Sequence, residues 1–436
     1  MDARQNAAWD VLSRLRSAGF EAYYAGGCVR DLVMGREPLD YDIATNARPE
    51  QTLALFPNAL SVGAQFGVIV APHPDGPVEI ATFRSDGFYA DGRHPSEVRY
   101  AASPAEDVRR RDFTINGLLF DPIEQRVLDF VGGQEDIRAH CIRAIGDPYA
   151  RFQEDHLRML RAVRFAARFA FKLDPALREA IRELAPLLRQ VSRERSRDEV
   201  LKILTEGAAR RGFELLDDTK ILEVILPEIK ALQGVEQPPQ FHPEGDVWTH
   251  TLIMLQGLKQ PSATLALGVL LHDVGKPPTF SVRDRIRFDH HAEVGACMAV
   301  EICNRFRLPA RQTQRVEELI RHHLRFKDLP QMRRSTQMRF LRMEGFEEHL
   351  ELHRLDCMAS HGKLSNYELA LRLLQETPPE NIKPRPLLGG DDLIAQGYLP
   401  GPRFKEILRA VEDAQLDGAI RSREDALRLL AEKFPS

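Results

Sequence analysis

Tyr24-Ala-Gly-Gly-Cys-Val-Arg-Asp31 and Leu39-Asp-Tyr-Asp-Ile-Ala-Thr45 are the stretches on which the fold is decided. The first puts two glycines between a short strand-like run and a helix-like one. Glycine there lets the backbone approach a phosphate closely, and N–H groups at a helix start favour anions. The same pair also makes a plain tight turn. Arg30 and Asp31 follow at once. In the second stretch, residues two apart on a strand face one side, so Asp40 and Asp42 present their carboxylates together. Like charges that close repel unless a cation lies between them, and hard oxygen ligands so arranged suit Mg²⁺. A solvated polar face on an edge strand is the other reading.

Further along, Val78-Glu-Ile-Ala-Thr-Phe-Arg84 sets Glu79 on a strand face with Ala81 and Phe83. Glu79 is either a third acid for the metal or the partner of an arginine. Residues 84–95, rich in glycine, aspartate and aromatics, read as a mobile loop that closes over a substrate, or as a surface hairpin. Arg109-Arg-Arg-Asp-Phe-Thr-Ile-Asn116 follows, with Arg111 and Asp112 flanking the next strand; the guanidinium fork matches a triphosphate. Glu154-Asp-His-Leu-Arg-Met-Leu-Arg-Ala-Val-Arg164 reads as a helix. On it Asp155 and Arg158, three apart, share a face; Arg161 continues the line and Arg164 has drifted round the cylinder. A surface salt bridge is the plainer reading of that pair.

The chain has 436 residues, enough for two to four domains. With 43% hydrophobic and 28% charged residues it excludes disordered, collagen-like and coiled-coil classes. The first 150 residues read as mixed α/β: a helix at 7–17, then strands at 21–25, 40–44, 66–71, 78–83 and 117–120 between turn residues. From Arg151 onward helical periods dominate, at 156–171, 175–189, 195–206 and 211–217, with proline-containing breaks at 237–243 and 376–386. The net charge of −4 does not advertise nucleic-acid binding, yet residues 151–200 carry twelve Arg and Lys against eight Asp and Glu. The five cysteines lack C-x-x-C spacing, so neither a disulfide frame nor a cysteine zinc site is expected. Without a signal pattern or a long apolar run, a cytoplasmic location is expected, with no membrane partner.

Together these elements resemble the class II tRNA nucleotidyltransferases, the CCA-adding enzymes and their relatives the bacterial poly(A) polymerases. The resemblance rests on Gly26-Gly27-x-Val29-Arg30-Asp31, Asp40-x-Asp42, Arg110-Arg111-Asp112-Phe113-Thr114-x-Asn116 and Glu154-Asp155-x-x-Arg158, in family order. It extends to the neck-like stretch 191–199 and to Leu388-Gly-Gly-Asp-Asp-Leu393 near the C-terminus. It implies an α+β fold, with a small mixed-sheet head at 1–150 followed by all-α parts: a neck at 151–236, a body at 237–376 and a tail at 377–436. By the same resemblance Asp40 and Asp42 bind Mg²⁺, and Gly27, Arg30 and Arg111 hold the triphosphate. Asp155 and Arg158 read the base, with Arg161 and Arg164 nearby. The implied activity adds CCA to tRNA 3′ ends from CTP and ATP by two-metal chemistry. A-only addition and poly(A) synthesis are the alternatives, and DNA is not an expected partner.

Histidine placement marks a second chemistry. Ten of the 14 histidines fall between His242 and His361, where about four are expected by length. Imidazoles and carboxylates from separate helices can converge on one divalent metal. His250, His272-Asp273 and Asp356 resemble the H…HD…D ligand order of the HD phosphohydrolase superfamily. That resemblance implies a divalent transition metal or Mg²⁺ and a phosphohydrolase activity on tRNA ends. His291 and one of His322 or His323 enlarge the site to two metals; which of the last pair points inward is left open. A hydrolase of this kind with a merely RNA-binding N-terminal half is the reading from a different class.

Overall fold

The computed structural model describes residues 3–61, 67–86, 98–101 and 103–435. The chain divides into two compact units, Met1–Lys230 and Ala231–Ser436.

The first unit begins as α+β. Its strands are β1 (Ala22–Ala25), β2 (Asp42–Thr45), β3 (Val68–Ala71), β4 (Val78–Thr82), β5 (Arg84–Asp86), β6 (Val98–Tyr100), β7 (Leu118–Asp121) and β8 (Arg126–Asp129). Six form a mixed sheet in the order β3-β4-β2-β1-β7-β8, in which only β2 and β4 run parallel. The alternation of β4 explains its placement: Val78, Ile80 and Thr82 are buried, while Glu79 and Ala81 line a cleft. Helix Ala3–Ser17 packs against β1, β2 and β4 and buries Ala8, Val11, Leu12 and Leu15. Ile43 lies opposite Ile80 in the β2–β4 register, so one step further Asp42 stands beside Glu79.

Sequence and structure differ here in instructive ways. β2 begins at Asp42, with Asp40 in the exposed approach to it. β5 and β6 pair as a ribbon at the base of the stretch read as a mobile loop; residues 87–97 of that stretch lie outside the described residues. The continuous helix expected at 154–164 is broken. Helix Pro148–Glu154 stops, Asp155 turns extended (φ −149°, ψ 104°), and a new helix spans Arg158–Phe169. Asp155 Oδ1 accepts from the Leu157 N–H at 3.1 Å, the local side-chain bond that lets aspartate interrupt a helix. The helix expected at 175–189 ends at Leu184 and tightens into a 3-10 stretch at Pro186, which lacks an N–H. Helices Arg193–Thr205 and Ala209–Asp218 pack against Arg158–Phe169.

The second unit is almost wholly helical, with one small hairpin pairing Phe280–Val282 and Ile286–Phe288. Helices Val247–Gly257, Ala263–Leu271, His291–Arg305, Ala310–His322 and Phe346–Ala359 form its centre. A separate cluster around Leu393, Ile407, Val411 and Leu430 holds the C-terminal helices together. No helix among the described residues is long and apolar enough to cross a membrane.

Candidate functional site

In the first unit a cleft of about 490 Å³ opens over β1, β2 and β4. Gly26, at φ +73°, turns β1 into helix Gly27–Val33 and donates its N–H to Leu118 O at 3.1 Å. A Cβ there would meet Arg111 Nη1 at 3.0 Å, so conformation and space both call for glycine. Asp42 and Glu79 line the floor. Burial, then the charges of Asp40 and Glu79, push the Asp42 carboxyl up to about 6 against the pull of Arg111. Asp40 lies in an adjoining hollow of about 400 Å³ that shares Asp42 and Glu79. A buried carboxylate raised by neighbouring acids in this way is the donor chemistry a hard divalent cation fits.

The cleft lining carries six arginines against four carboxylates, a surplus suited to a polyanion. Buried acids aim three of these arginines. Asp107 takes Arg110 on Oδ1 at 2.7 Å and Arg111 on Oδ2 at 2.9 Å. Asp112 accepts from Arg161 Nη2 at 2.7 Å and from Asn116 Nδ2 at 3.1 Å. Burial opposes charge on both acids, yet the arginines around them hold both carboxyls below the usual range. Arg30 is buried, bound to Asp31 at 2.8 Å and to Asn116 Oδ1 at 2.7 Å, and packed on Phe169. On the wall, Asp155 is held by Arg195 at 2.7 Å, and Arg158 by Glu154 at 2.7 Å and Arg110 O at 3.2 Å. Asp155 and Arg158 therefore both reach the cleft without pairing with each other. Arg164 is not in the lining: its guanidinium is buried against Glu199 at 2.6 Å and Glu206 at 3.5 Å.

In the second unit five helices meet, three bringing a histidine at an end and two an interior residue. His272 follows helix Ala263–Leu271, His291 opens His291–Arg305, and His323 follows Ala310–His322. His250 lies inside Val247–Gly257 and Asp356 inside Phe346–Ala359. Donor atoms of His250, His272 and Asp273 lie within 4.8 Å of one another, and so do those of Asp273, His291 and His323. Nδ1 of His272, His291 and His323 bonds to the carbonyls of Val269, Phe288 and Ile320 at 2.9, 2.9 and 2.6 Å. A carbonyl only accepts, so each Nδ1 carries the proton and each Nε2 keeps its lone pair. Nε2 of His272 and His291 is buried with no hydrogen-bond partner among the described residues, His272 Nε2 facing Asp273 Oδ2 at 3.0 Å. Asp273 Oδ2 also lies 2.7 Å from Lys276 Nζ, and His250 Nε2 lies 3.2 Å from Asp356 Oδ1. Lone pairs turned toward one another fit a divalent metal. Burial drives His323 down to about 3, while His250, despite its burial, is pushed up to about 9 by Asp356 and Glu244. Gly275 makes the cluster possible, because a Cβ there would strike His291 O at 2.2 Å.

Known proteins share both sites' surroundings. Residues 22–143 match the poly A polymerase head domain, 170–233 the probable RNA and SrmB-binding site of polymerase A, and 246–367 the HD domain. The CCA-adding enzyme of Geobacillus sp. (strain WCH70) is 30% identical over 96% of this chain and 95% of its own length. The chain belongs to the CCA-adding enzyme family. A shorter match to the CCA-adding enzyme of Lactobacillus helveticus is 39% identical and spans 57% of this chain and 63% of that relative, just under two thirds of it. The crystal structure of the Bacillus stearothermophilus CCA-adding enzyme in complex with CTP superposes with a TM-score of 0.74 at 26% identity, over 99% of this chain and 98% of that one.

Within this family chain, Gly27, Arg30, Asp42, Arg111, Asp155, Arg158 and Arg161 meet in one cleft, Asp40 beside it, Arg164 apart. His250, His272, Asp273 and Asp356 meet in the other unit, joined by His291 and His323. His323 is the inward histidine of its pair; the His322 ring lies near His349, 6.3 Å between centroids. Sequence reasoning did not single out Asp107 or Arg195, although the latter lies in the neck-like stretch 191–199. The break expected at 237–243 holds no helix or strand. Sequence reasoning did not see that it also carries Gln237, which accepts from Lys276 Nζ at 2.6 Å, and just beyond it Glu244, which bonds to His250 Nδ1 at 2.6 Å.

Proposed function

We propose that this chain is a cytoplasmic enzyme that adds CCA to tRNA 3′ ends from CTP and ATP without a nucleic-acid template. The observation that carries this is the single cleft shared by the Gly26-Gly27 turn, Asp42, Arg111 and the Asp155/Arg158 wall. Asp40 and Asp42 would hold Mg²⁺, with Glu79 as a further oxygen donor, in a two-metal arrangement. Bound there, the metal supplies neutralisation of phosphate charge and acidification of the attacking 3′-hydroxyl. Arg111, clamped by Asp107, and the Gly27 backbone receive the triphosphate. Arg30, fixed by Asp31 and Asn116, backs that position. Rate comes from positioning and charge compensation, since little covalent work falls to side chains.

Base choice follows from hydrogen-bond complementarity. The Asp155 carboxylate accepts from an exocyclic amine, and Arg158 donates to ring nitrogen or carbonyl acceptors. Cytosine and adenine offer that edge; uracil and guanine put a carbonyl where the amine stands. The wrong base leaves a buried group unpaired, at about 1–3 kcal/mol each. Labour is divided among a head at 1–150, a neck at 151–236, an HD domain at 237–376 and a tail at 377–436.

The HD cluster supports a second, metal-dependent phosphohydrolase activity on tRNA ends. Asp273 belongs to both donor triads and, with His250, His272, Asp356, His291 and His323, would hold one or two divalent metals. A metal held there supplies an activated water for attack on a phosphoester. Lys276, buried at 2.7 Å from Asp273, Arg285 and Lys327 line the adjoining hollow of about 400 Å³ and give it the charge to receive a phosphate.

The test supplies purified chain, Mg²⁺ and a tRNA lacking its 3′ end with labelled CTP or ATP, beside D42A. Incorporation of both nucleotides, lost in D42A, is expected. Label from ATP alone supports A-only addition or poly(A) synthesis, and no label from either leaves the hydrolase reading.

A further inference from the structure

Four imidazoles face the Asp273 cluster, and they are not oriented alike. His272, His291 and His323 each sit at a helix end, and each donates Nδ1–H to the carbonyl three residues earlier. His250 sits inside helix Val247–Gly257, where carbonyls are consumed by the helix itself; its own N–H bonds to Asp246 O at 3.1 Å. No main-chain acceptor is at hand for its Nδ1. Glu244 supplies one instead: Oε1 lies 2.6 Å from His250 Nδ1 and 2.9 Å from His242 Nδ1. The Glu244 side chain is only 7% exposed, and its Oε2 is buried without a hydrogen-bond partner among the described residues.

We infer that Glu244 is the positioning residue of the HD metal centre: it fixes the tautomer and ring direction of His250, so that Nε2 faces Asp356 and the metal. The inference rests on the HD cluster being a metal site. Both contacts are at hydrogen-bond length, and with Nδ1 of His242 and His250 carrying the proton Glu244 accepts from each and so orients a ligand rather than serving as one, although its donor atom also lies within 4.8 Å of theirs. A carboxylate partner also makes an imidazole a stronger donor than a carbonyl partner does, and loss of such a group lowers metal affinity by about 10–100-fold.

The test titrates Co²⁺ into the full metal-stripped chain and follows its visible ligand-field absorption, for wild type, E244A, E244Q and H272A. Thermal unfolding of each metal-free protein is recorded alongside. Expected is a Co²⁺ affinity about 10–100-fold weaker in E244A with an altered spectrum, and intermediate in E244Q, which keeps an acceptor but loses the charge. Wild-type affinity and spectrum in E244A overturn the inference. Equal losses in E244A and E244Q that track a lowered unfolding temperature make Glu244 structural and also overturn it. If H272A binds Co²⁺ as wild type does, the metal site itself is refuted, a different failure from that of Glu244.

Discussion

The cleft of the first unit and the cluster of the second both gather acids and basic groups, yet they solve opposite problems. In the cleft, carboxylates at the start of β2 and on β4 stand beside one another, and Asp42 is pushed up to about 6 by burial and by Asp40 and Glu79. Its arginines are already paired with acids, Arg110 and Arg111 with buried Asp107 and Arg161 with buried Asp112. Such a site is strained while empty of cation and becomes favourable when a metal arrives with its phosphates. In the second unit the imidazoles are buried, their Nδ1 atoms satisfied and their Nε2 atoms turned inward. That arrangement suits a metal retained whether or not substrate is present. Clustered carboxylates would take a cation that comes and goes; caged histidines would keep one.

The contrast is broken most severely by exchanging the sites' losses. D42A should lower nucleotide addition by about 10³-fold or more while metal that co-purifies with the chain, read by elemental analysis, is unchanged. H272A should do the reverse. A common loss of both properties in either variant would contradict two independent centres. A smaller effect concerns the wall of the cleft. D155A should narrow the discrimination of C and A against G and U by about 10–100-fold in single-nucleotide incorporation assays, with a lesser change in triphosphate affinity. Equal losses for all four nucleotides would remove Asp155 from base selection.

The strain at Asp42 sharpens the same contrast through stability. Its carboxyl titrates at about 6 in the fold against an ordinary 3.8, so the unfolded chain gives up the proton first. Stability is intact below pH 4 and is lost as pH rises through 6, on the order of 2–3 kcal/mol. In metal-free protein, D42N should therefore raise the calorimetric unfolding temperature at pH 8 and leave it unchanged at pH 4. A gain of equal size at both pH values would show that repulsion is not its cause. Smallest of all, R195A should cost about fivefold in the same base discrimination, because Arg195 holds Asp155 at 2.7 Å without itself meeting the base. A loss as large as that of D155A would give Arg195 a direct role.

Much of this was legible in the sequence wherever one residue type has one physical reason. Gly26 is needed for a positive φ, Asp42 opens a half-buried strand, and His272-Asp273 ends an apolar helix, so each announces itself locally. What stayed hidden depends on partners far along the chain. Arg164, already turned off the Arg161 line, is drawn out of the cleft by acids distant in sequence, Glu199 and Glu206, where Arg161 meets Asp112. The choice of His323 over His322 turns on which way the chain leaves helix Ala310–His322. The break at Asp155 was hidden for a local reason: its side chain competes with the helix for a backbone N–H, and the apolar spacing around it carries no mark of that competition.

The most direct measurement offers the purified chain Mg²⁺, CTP and ATP together with three forms of one tRNA, ending before the first C, after the second C, and after the final A, and sequences the products. Gain of CCA on the first, of A on the second and of nothing on the third is the expected result. A first form left unextended while the second gains A, or tails of repeated A on any of them, would contradict a cleft that selects both bases and then stops.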